Sequence, residues 1–397
     1  MGRLSKNKLN EIKKQYGVKT IYSFSRYNSY LTDPYSYLLT YIKHVPQIEN
    51  GSIYSKSGTM CHEILQDFLE GKIKYDDMID KYEEGLFELN NDGYVYSKND
   101  KNMNDNIANK YENSIRHFLM NYKPLDCKWL IEKPILIKVG RFIFIGYIDM
   151  ITKIGDTYII EDIKTSTIYT GEKKKKESAQ LLLYALGVSQ KFNVSLDEIK
   201  ARWNFIKYTT VEIDLKTIDK NTKKNKIKTK DCVRSQWVKE VSGDVRKWLK
   251  TEGYDELEIE DILQNCIRDN SLDSVPNIKH HFRLSDCYVD IDLSQANIDE
   301  LTGKIIKTLT EVEDKTETTK EYLEIVNNSD DDEEIKYFEK LIDDMWWSKV
   351  DKSSEYYYWN LCNYDKSVHK PWKQYLDDCN MFKKDLNTED DDDEFNW

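Results

Sequence analysis

The chain has 397 residues, with 71 Asp and Glu against 59 Lys and Arg and a formal net charge of −12. That balance excludes a protein that holds DNA by bulk positive charge, so any contact with nucleic acid needs a local basic surface. With 39% hydrophobic residues, 28 Tyr and 9 Trp, the chain can build one large domain with elaborations or two domains, and wholesale disorder is excluded.

No apolar run approaches the roughly 18–20 residues of a membrane span. The densest, 142–151, is broken by Gly146 and Asp149. The first 17 residues are polar and Lys-rich, without the apolar centre of a secretory signal, which points to a cytoplasmic protein with no membrane partner. Seven scattered cysteines (Cys61, Cys127, Cys232, Cys266, Cys287, Cys362 and Cys379) contain no C-x-x-C pair. They support neither a disulfide framework nor a four-thiolate metal site.

In chain order, residues 1–19 form a basic leading segment and residues 20–125 read as mainly helical. A Ser/Tyr-rich stretch at 22–27 and Asp33-Pro34-Tyr35 come first. A helix is expected to open near Ser57-Gly58-Thr59, with Cys61, Ile64, Leu65, Phe68 and Leu69 at helical spacing. From Trp129 the apolar period becomes that of strands, over 130–139, 142–151 and 157–164, separated by Gly140 and Gly155-Asp156. A helix over 176–190 and a fourth strand over 202–208 follow. Helix, three-stranded antiparallel start, helix and strand make an α/β core over 20–210. Residues 211–380 read as an ancillary region: a basic loop over 216–234, with eight basic residues against Asp219 and Asp231, and then a mainly helical elaboration. The acidic segment 381–397 is expected to be a disordered tail.

The second and third strands carry chemistry. Along 158–164, side chains alternate, so Asp162 and Lys164 share a face and Glu161 points the other way. A two-residue turn at Gly155-Asp156 sets Asp149 opposite Asp162. Two facing carboxylates in apolar strands repel and need a compensating cation, and Mg²⁺ or Mn²⁺, as one or two ions, suits them. Lys164 beside them is placed to orient and deprotonate a water or to neutralise charge on phosphorus. Such an arrangement suits metal-assisted phosphodiester hydrolysis, although an Asp-x-Lys on one strand face is also a common solvated ion pair.

Gly146-Tyr-Ile-Asp149, Glu161-Asp-Ile-Lys-Thr165 and Gln180-x-x-x-Tyr184, with Gly58-Thr-Met-Cys-His62 upstream, resemble in order the motifs of PD-(D/E)XK nucleases of the RecB-like branch. The resemblance covers about residues 20–210 and implies a restriction-endonuclease-like core. It implies that Asp149 and Asp162 bind metal with His62 as an additional ligand, that Lys164 acts on the water, and that Gln180 and Tyr184 position substrate. The last two stand at i and i+4, on one helical face apart from Leu182 and Leu186. Glu132 is a weaker candidate for an outer metal or water contact. Members with an iron–sulfur cluster carry an early cysteine where Asp33 stands here, so no cluster is expected. Cys362, His369 and Cys379 are too irregular to specify a zinc site. There is no G-x-x-x-x-G-K-[ST], so any motor is a separate chain.

DNA, as linear ends or single strands, is the expected partner. Lys223, Lys224, Lys226, Lys228 and Lys230 in the basic loop would track phosphates, with Trp203, Phe205 and Trp237 stacking on bases. Lys173–Lys176 form a second basic cluster. The acidic tail could recruit a recombination or replication protein. Abundant Lys, Asn, Ile and Tyr suit an AT-rich genome, and a phage is the expected source, with action in the host cytoplasm. The expectation is a metal-dependent deoxyribonuclease, an exonuclease at DNA ends in recombination, repair or replication; the rival is a catalytically silent nuclease-fold protein that binds DNA or assembles with partners.

Overall fold

The computed structural model describes residues 4–48, 52–97, 101–124, 128–131 (backbone only), 134–220, 222–347, 364–365, 367–371 and 373–374. Cys127, Glu132, Cys362, Cys379 and the acidic tail lie outside them.

Each early helix starts where a side chain can take an orphan backbone N–H. Ser5 caps α1 (Lys6–Tyr16), which stops at Gly17 in the left-handed region (φ 64°). After the short strand β1 (Ile21–Tyr22), Ser23 caps α2 (Phe24–Thr32), and Asp33 both ends α2 and caps α3 (Pro34–Tyr41), with Pro34 in the first turn. Ser52 caps α4 (Ile53–Leu69), so this helix begins a turn earlier than Ser57-Gly58 suggests. α5 (Asp77–Asn91) and α6 (Lys101–Asn121) complete the helical region.

The expected strand 130–139 is two strands, β2 (Lys128–Ile131) and β3 (Pro134–Val139), and the run 142–151 is also two, β4 (Phe142–Tyr147) and β5 (Met150–Ile154). Ile131 pairs with Met150 and Pro134 with Tyr147, in one unbroken register. The four strands are therefore one antiparallel ribbon that leaves one sheet and enters another around residue 148, immediately before Asp149. β3 and β4 join β1 in a three-stranded sheet, whereas β2 and β5 belong to the main sheet.

β6 (Thr157–Lys164) has the expected limits and pairs with β5 from Met150↔Glu161 to Ile154↔Thr157, around a turn in which Gly155 has φ 58°. The helix α7 (Gly171–Phe192) returns the chain so that β7 (Ile199–Ile218) lies parallel to β6, with Asp162 beside Trp203 and Lys164 beside Phe205. β7 runs 13 residues past that last pairing, roughly 40 Å at strand rise, and turns back as β8 (Asn225–Val233). The expected basic loop is thus a β-hairpin arm: the alternation of buried Val211 and Ile213 with Glu212 and Asp214 carries the strand through the charged stretch.

Beyond the arm come α8 (Trp237–Glu240), α9 (Ser242–Thr251), α10 (Glu256–Asp269) and α11 (Pro276–Lys279). β9 (Phe282–Asp290) then pairs antiparallel with β7, so the C-terminal region adds a strand to the main sheet. α12 (Gln295–Asn328) and α13 (Asp332–Trp346) follow. Ile298, Leu301, Ile305 and Leu309 of α12 pack with Ile135, Phe144, Leu183 and Trp203 in the central core. A second core joins α4, α5 and α6 to Ile163 and Ile206 on the other side of the sheet. The sheet is therefore covered on both faces, and the end of β6 lies between α4 and α7. Among the described residues, no helix is long and apolar enough to cross a membrane.

Candidate active site

The ribbon's passage between sheets places Asp149 at a bend just before β5 rather than in the ladder. Its Oδ2 accepts a hydrogen bond from the Ile163 backbone N–H (3.0 Å) and lies 3.4 Å from His62 Nδ1, carried in from α4. Asp162, 6% exposed, is held on β6 with Lys164 Nζ 2.6 Å from its Oδ2. The expected facing of positions 149 and 162 across the hairpin survives in register, with Asp149 turned toward the end of β6.

The four groups polarise one another. Burial pushes the Asp162 carboxyl up to about 6, reinforced by the Asp149 charge and opposed by Lys164. Burial also works against the Asp149 anion, but His62, the Ile163 N–H and Lys164 hold its pKa below the ordinary range. Burial lowers the His62 pKa, and the two carboxylates more than reverse this, so the net shift is upward. Lys164 is likewise held as an ammonium by Asp162 and Asp149 against burial. In this arrangement Lys164 is a fixed positive charge, suited to stabilising a phosphorane-like anion and orienting water rather than to removing a proton.

The residues fit a hard divalent cation. Asp162 Oδ2 is buried, with the Lys164 ammonium 2.6 Å away. Two carboxylates brought together at the end of β6 repel, and a divalent ion held between them would offset that charge. No three His, Cys, Asp or Glu side chains converge on one point among the described residues. Mg²⁺ needs no such cage, because it is held by one or two carboxylates, waters and substrate phosphate oxygens.

Gln180 and Tyr184 come from α7 to the same centre. Gln180 Nε2 donates to Tyr184 Oη (2.9 Å), and burial together with the Asp162 and Asp149 charges pushes the phenol up to about 12. Tyr184 is buried rather than on a surface face of the helix, and its ring lies against Gly146. A Cβ on Gly146 would stand 2.6 Å from Tyr184 Cε1 and 3.1 Å from Cδ1. Gly146→Ala is therefore expected to cost about 1–3 kcal/mol in urea unfolding and to displace Tyr184. Adding Tyr184→Ala should recover part of that loss, and strictly additive losses would contradict the contact.

A match to the family model of the PD-(D/E)XK nuclease superfamily extends over residues 21–267. The chain belongs to this superfamily. The match covers more than half of the 397 residues and contains α4, the Asp149 bend, β6 and α7. A comparison with curated proteins finds no match. As a PD-(D/E)XK protein the chain carries a nuclease fold, whose substrate is DNA and whose members typically use divalent metals such as Mg²⁺.

Other expected site residues are placed differently. Trp203, Phe205 and Trp237 are buried at 1%, 0% and 5% exposure, so they are core rather than base-stacking residues. Lys228 pairs with Asp244 (2.8 Å) and Lys230 donates to the Glu240 carbonyl (2.6 Å), whereas Lys223, Lys224 and Lys226 stand exposed near the arm's tip. His369 meets Asp33 (2.7 Å) and Ser36 (2.8 Å) in a fully buried contact that ties the C-terminal segment to α3. Cys61, Cys232, Cys266 and Cys287 are buried thiols.

Sequence reasoning missed the opposite face of β6. Glu161, 5% exposed, accepts from Arg202 Nε (3.0 Å) and Nη2 (2.8 Å) and from Asn204 Nδ2 (2.9 Å). The Arg202 guanidinium also lies 3.5 Å from the Tyr288 ring centroid. Arg202 and Asn204 stand two apart in an apolar strand, a polar stripe that could have been read beside Glu161.

Proposed function

We propose that this PD-(D/E)XK protein is a metal-dependent deoxyribonuclease that acts as an exonuclease at DNA ends, in recombination, repair or replication, and that it is of RecB-like, phage-encoded type acting in the host cytoplasm. The juxtaposition of Asp149, Asp162 and Lys164, with His62 against Asp149, carries the reading. Asp149 and Asp162 would hold Mg²⁺ or Mn²⁺, with His62 steering or adding to the Asp149 side. A bound divalent ion would supply Lewis acidity and a water acidic enough to attack phosphorus. Lys164 orients that water and offsets charge on the phosphoryl oxygens, and Tyr184 with Gln180 lines the approach on the α7 side. The exposed lysines Lys223, Lys224 and Lys226 would follow the backbone at a distance from the cut.

Two tests bear on this. Incubated with Mn²⁺, linear DNA should disappear while closed circles persist, and nicked circles would replace the exonuclease reading with an endonuclease one. The second concerns Asp162. Its folded pKa, about 6, exceeds the unfolded value near 4. The folded state therefore binds this proton more tightly, and the stability it contributes is full below about pH 4 and lost as pH rises through about 6. At pH 7.5 the ionised carboxylate then costs about 3 kcal/mol, which a divalent ion should offset. Mg²⁺ or Mn²⁺ should raise the melting temperature at pH 7.5, raise it less at pH 5, and leave Asp162→Asn unchanged. Equal shifts at both pH values would place the ion elsewhere.

A further inference from the structure

Outside the catalytic centre, one guanidinium is held in place by aromatic rings and has no anion. Arg26, half-buried on α2, has its Cζ 5.3, 5.4 and 4.6 Å from the ring centroids of Tyr22, Tyr37 and Tyr41. Its Nε donates to Tyr37 Oη at 3.0 Å. Tyr22 and Tyr37 are themselves buried, so the rings that hold the guanidinium are fixed by the core. Among the described residues, Nη1 and Nη2 make no hydrogen bond and no carboxylate pairs with Arg26. A guanidinium drawn partly out of water ordinarily recovers such a partner, because desolvating a charge without one is costly.

Arg26 lines a cleft of about 600 Å³ between the end of α1, the start of β4 and the middle of α12. The lining holds five cations, Lys19, Arg26, Lys138, Arg141 and Lys320, against three acids, Glu313, Asp314 and Glu317, in a chain whose net charge is −12. Two of the acids are engaged: Glu313 by Arg141 (2.8 Å), and Glu317 by Lys19 (3.3 Å) and Lys320 (3.1 Å). Arg26 and Lys138 make no ion pair among the described residues, and the cleft carries an excess of two positive charges. It is remote from the catalytic bend, since Phe142 on its wall stands seven residues before Asp149, roughly 20 Å at strand rise.

The two terminal nitrogens of a fixed guanidinium form a fork that matches two oxygens of an anion. A phosphate monoester carries about −1.5 to −2 at neutral pH, which balances the excess charge where a single carboxylate would not. The cleft is also larger than a bare phosphate needs and lies within the range of small-ligand sites. We propose that the Arg26 cleft binds a phosphate monoester of nucleotide size, with its phosphate on the Arg26 fork and Lys138 adding charge. A free mononucleotide and the terminal phosphate of a DNA strand share this chemistry. The site is separate from the catalytic carboxylates and does not depend on the nuclease reading.

Titration calorimetry of the full chain with thymidine monophosphate, inorganic phosphate, acetate and thymidine tests this, in EDTA so that no metal at the carboxylates holds the phosphate. Thymidine monophosphate and phosphate should bind, and thymidine and acetate should not. Arg26→Lys keeps the charge but loses the fork, and should weaken thymidine monophosphate binding about 10- to 150-fold. Asp314→Asn, at an exposed position without an ion pair among the described residues, removes a like charge and should tighten binding about 1.5- to 5-fold. This variant decides the matter if Arg26→Lys does not fold. A 5′-phosphorylated oligothymidylate that binds more tightly than its 5′-hydroxyl form, by a margin that Arg26→Lys abolishes, would identify a DNA end as the source; equal binding of the two would identify the free nucleotide. The proposal fails if thymidine monophosphate does not bind, if acetate binds as tightly as phosphate, or if either substitution leaves the affinity unchanged.

Discussion

Asp162→Asn is expected to abolish Mg²⁺-dependent DNA cleavage, with a fall of about a thousandfold or more in rate, while the protein stays folded. The substitution keeps the shape of the side chain and removes the charge that Asp149 and Lys164 are arranged around. Loss of a group that holds the metal and shapes the field at the reacting phosphorus removes several kcal/mol of transition-state stabilisation. The structural cost should be small or negative, because a neutral amide is not penalised by burial as the carboxylate is. A melting temperature equal to or above that of the parent at pH 7.5, together with lost cleavage, is the expected pair of results. Cleavage within tenfold of the parent would remove Asp162 from the chemistry.

The neighbouring acid should behave in the opposite way. Glu161→Ala is expected to cost about 3–5 kcal/mol of stability, because it leaves Arg202 and Asn204 facing a void with the guanidinium unpaired in a largely buried site. Glu161→Ala with Arg202→Met should lose less than Glu161→Ala alone, since the uncompensated charge is then gone. The fraction that remains folded should still cut DNA, because Glu161 projects from the face of β6 away from Asp162. Urea unfolding followed by a cleavage assay on the folded protein reads both effects. A stable but inactive Glu161→Ala protein would exchange the roles assigned to the two acids.

How much of this was legible in the sequence depends on whether the deciding contacts are local. β6 was read to the residue, since its alternation and the Gly155-Asp156 turn are local signals, and the turn alone fixes the register of positions 149 and 162. The passage of the ribbon between two sheets was not legible. An apolar run such as 142–151 carries no mark of which sheet each half will join, and Gly146, read only as a break in that run, is where the Tyr184 ring lies close. Charge misled along the arm: lysines on 216–230 suggest a solvated loop, yet a strand at a sheet's end exposes both faces and tolerates them. Size misled for Trp203, Phe205 and Trp237. Large aromatics near a nuclease motif suggested base stacking, but their burial area makes them core residues first. β9 pairs with residues some 80 positions upstream, and only Phe282 and Cys287 of its nine residues are buried, so its periodicity gave no strand signal.

The most direct measurement of the central claim is the fate of end-labelled linear DNA incubated with the parent chain and with Lys164→Ala, in Mg²⁺, in Mn²⁺ and in EDTA. The parent should release labelled products in either metal and none in EDTA, and Lys164→Ala, folded by circular dichroism, should release none in any condition. Undiminished cleavage by Lys164→Ala, or parent protein that binds the DNA and leaves it intact in both metals, would contradict the assignment and identify a nuclease fold used for binding alone.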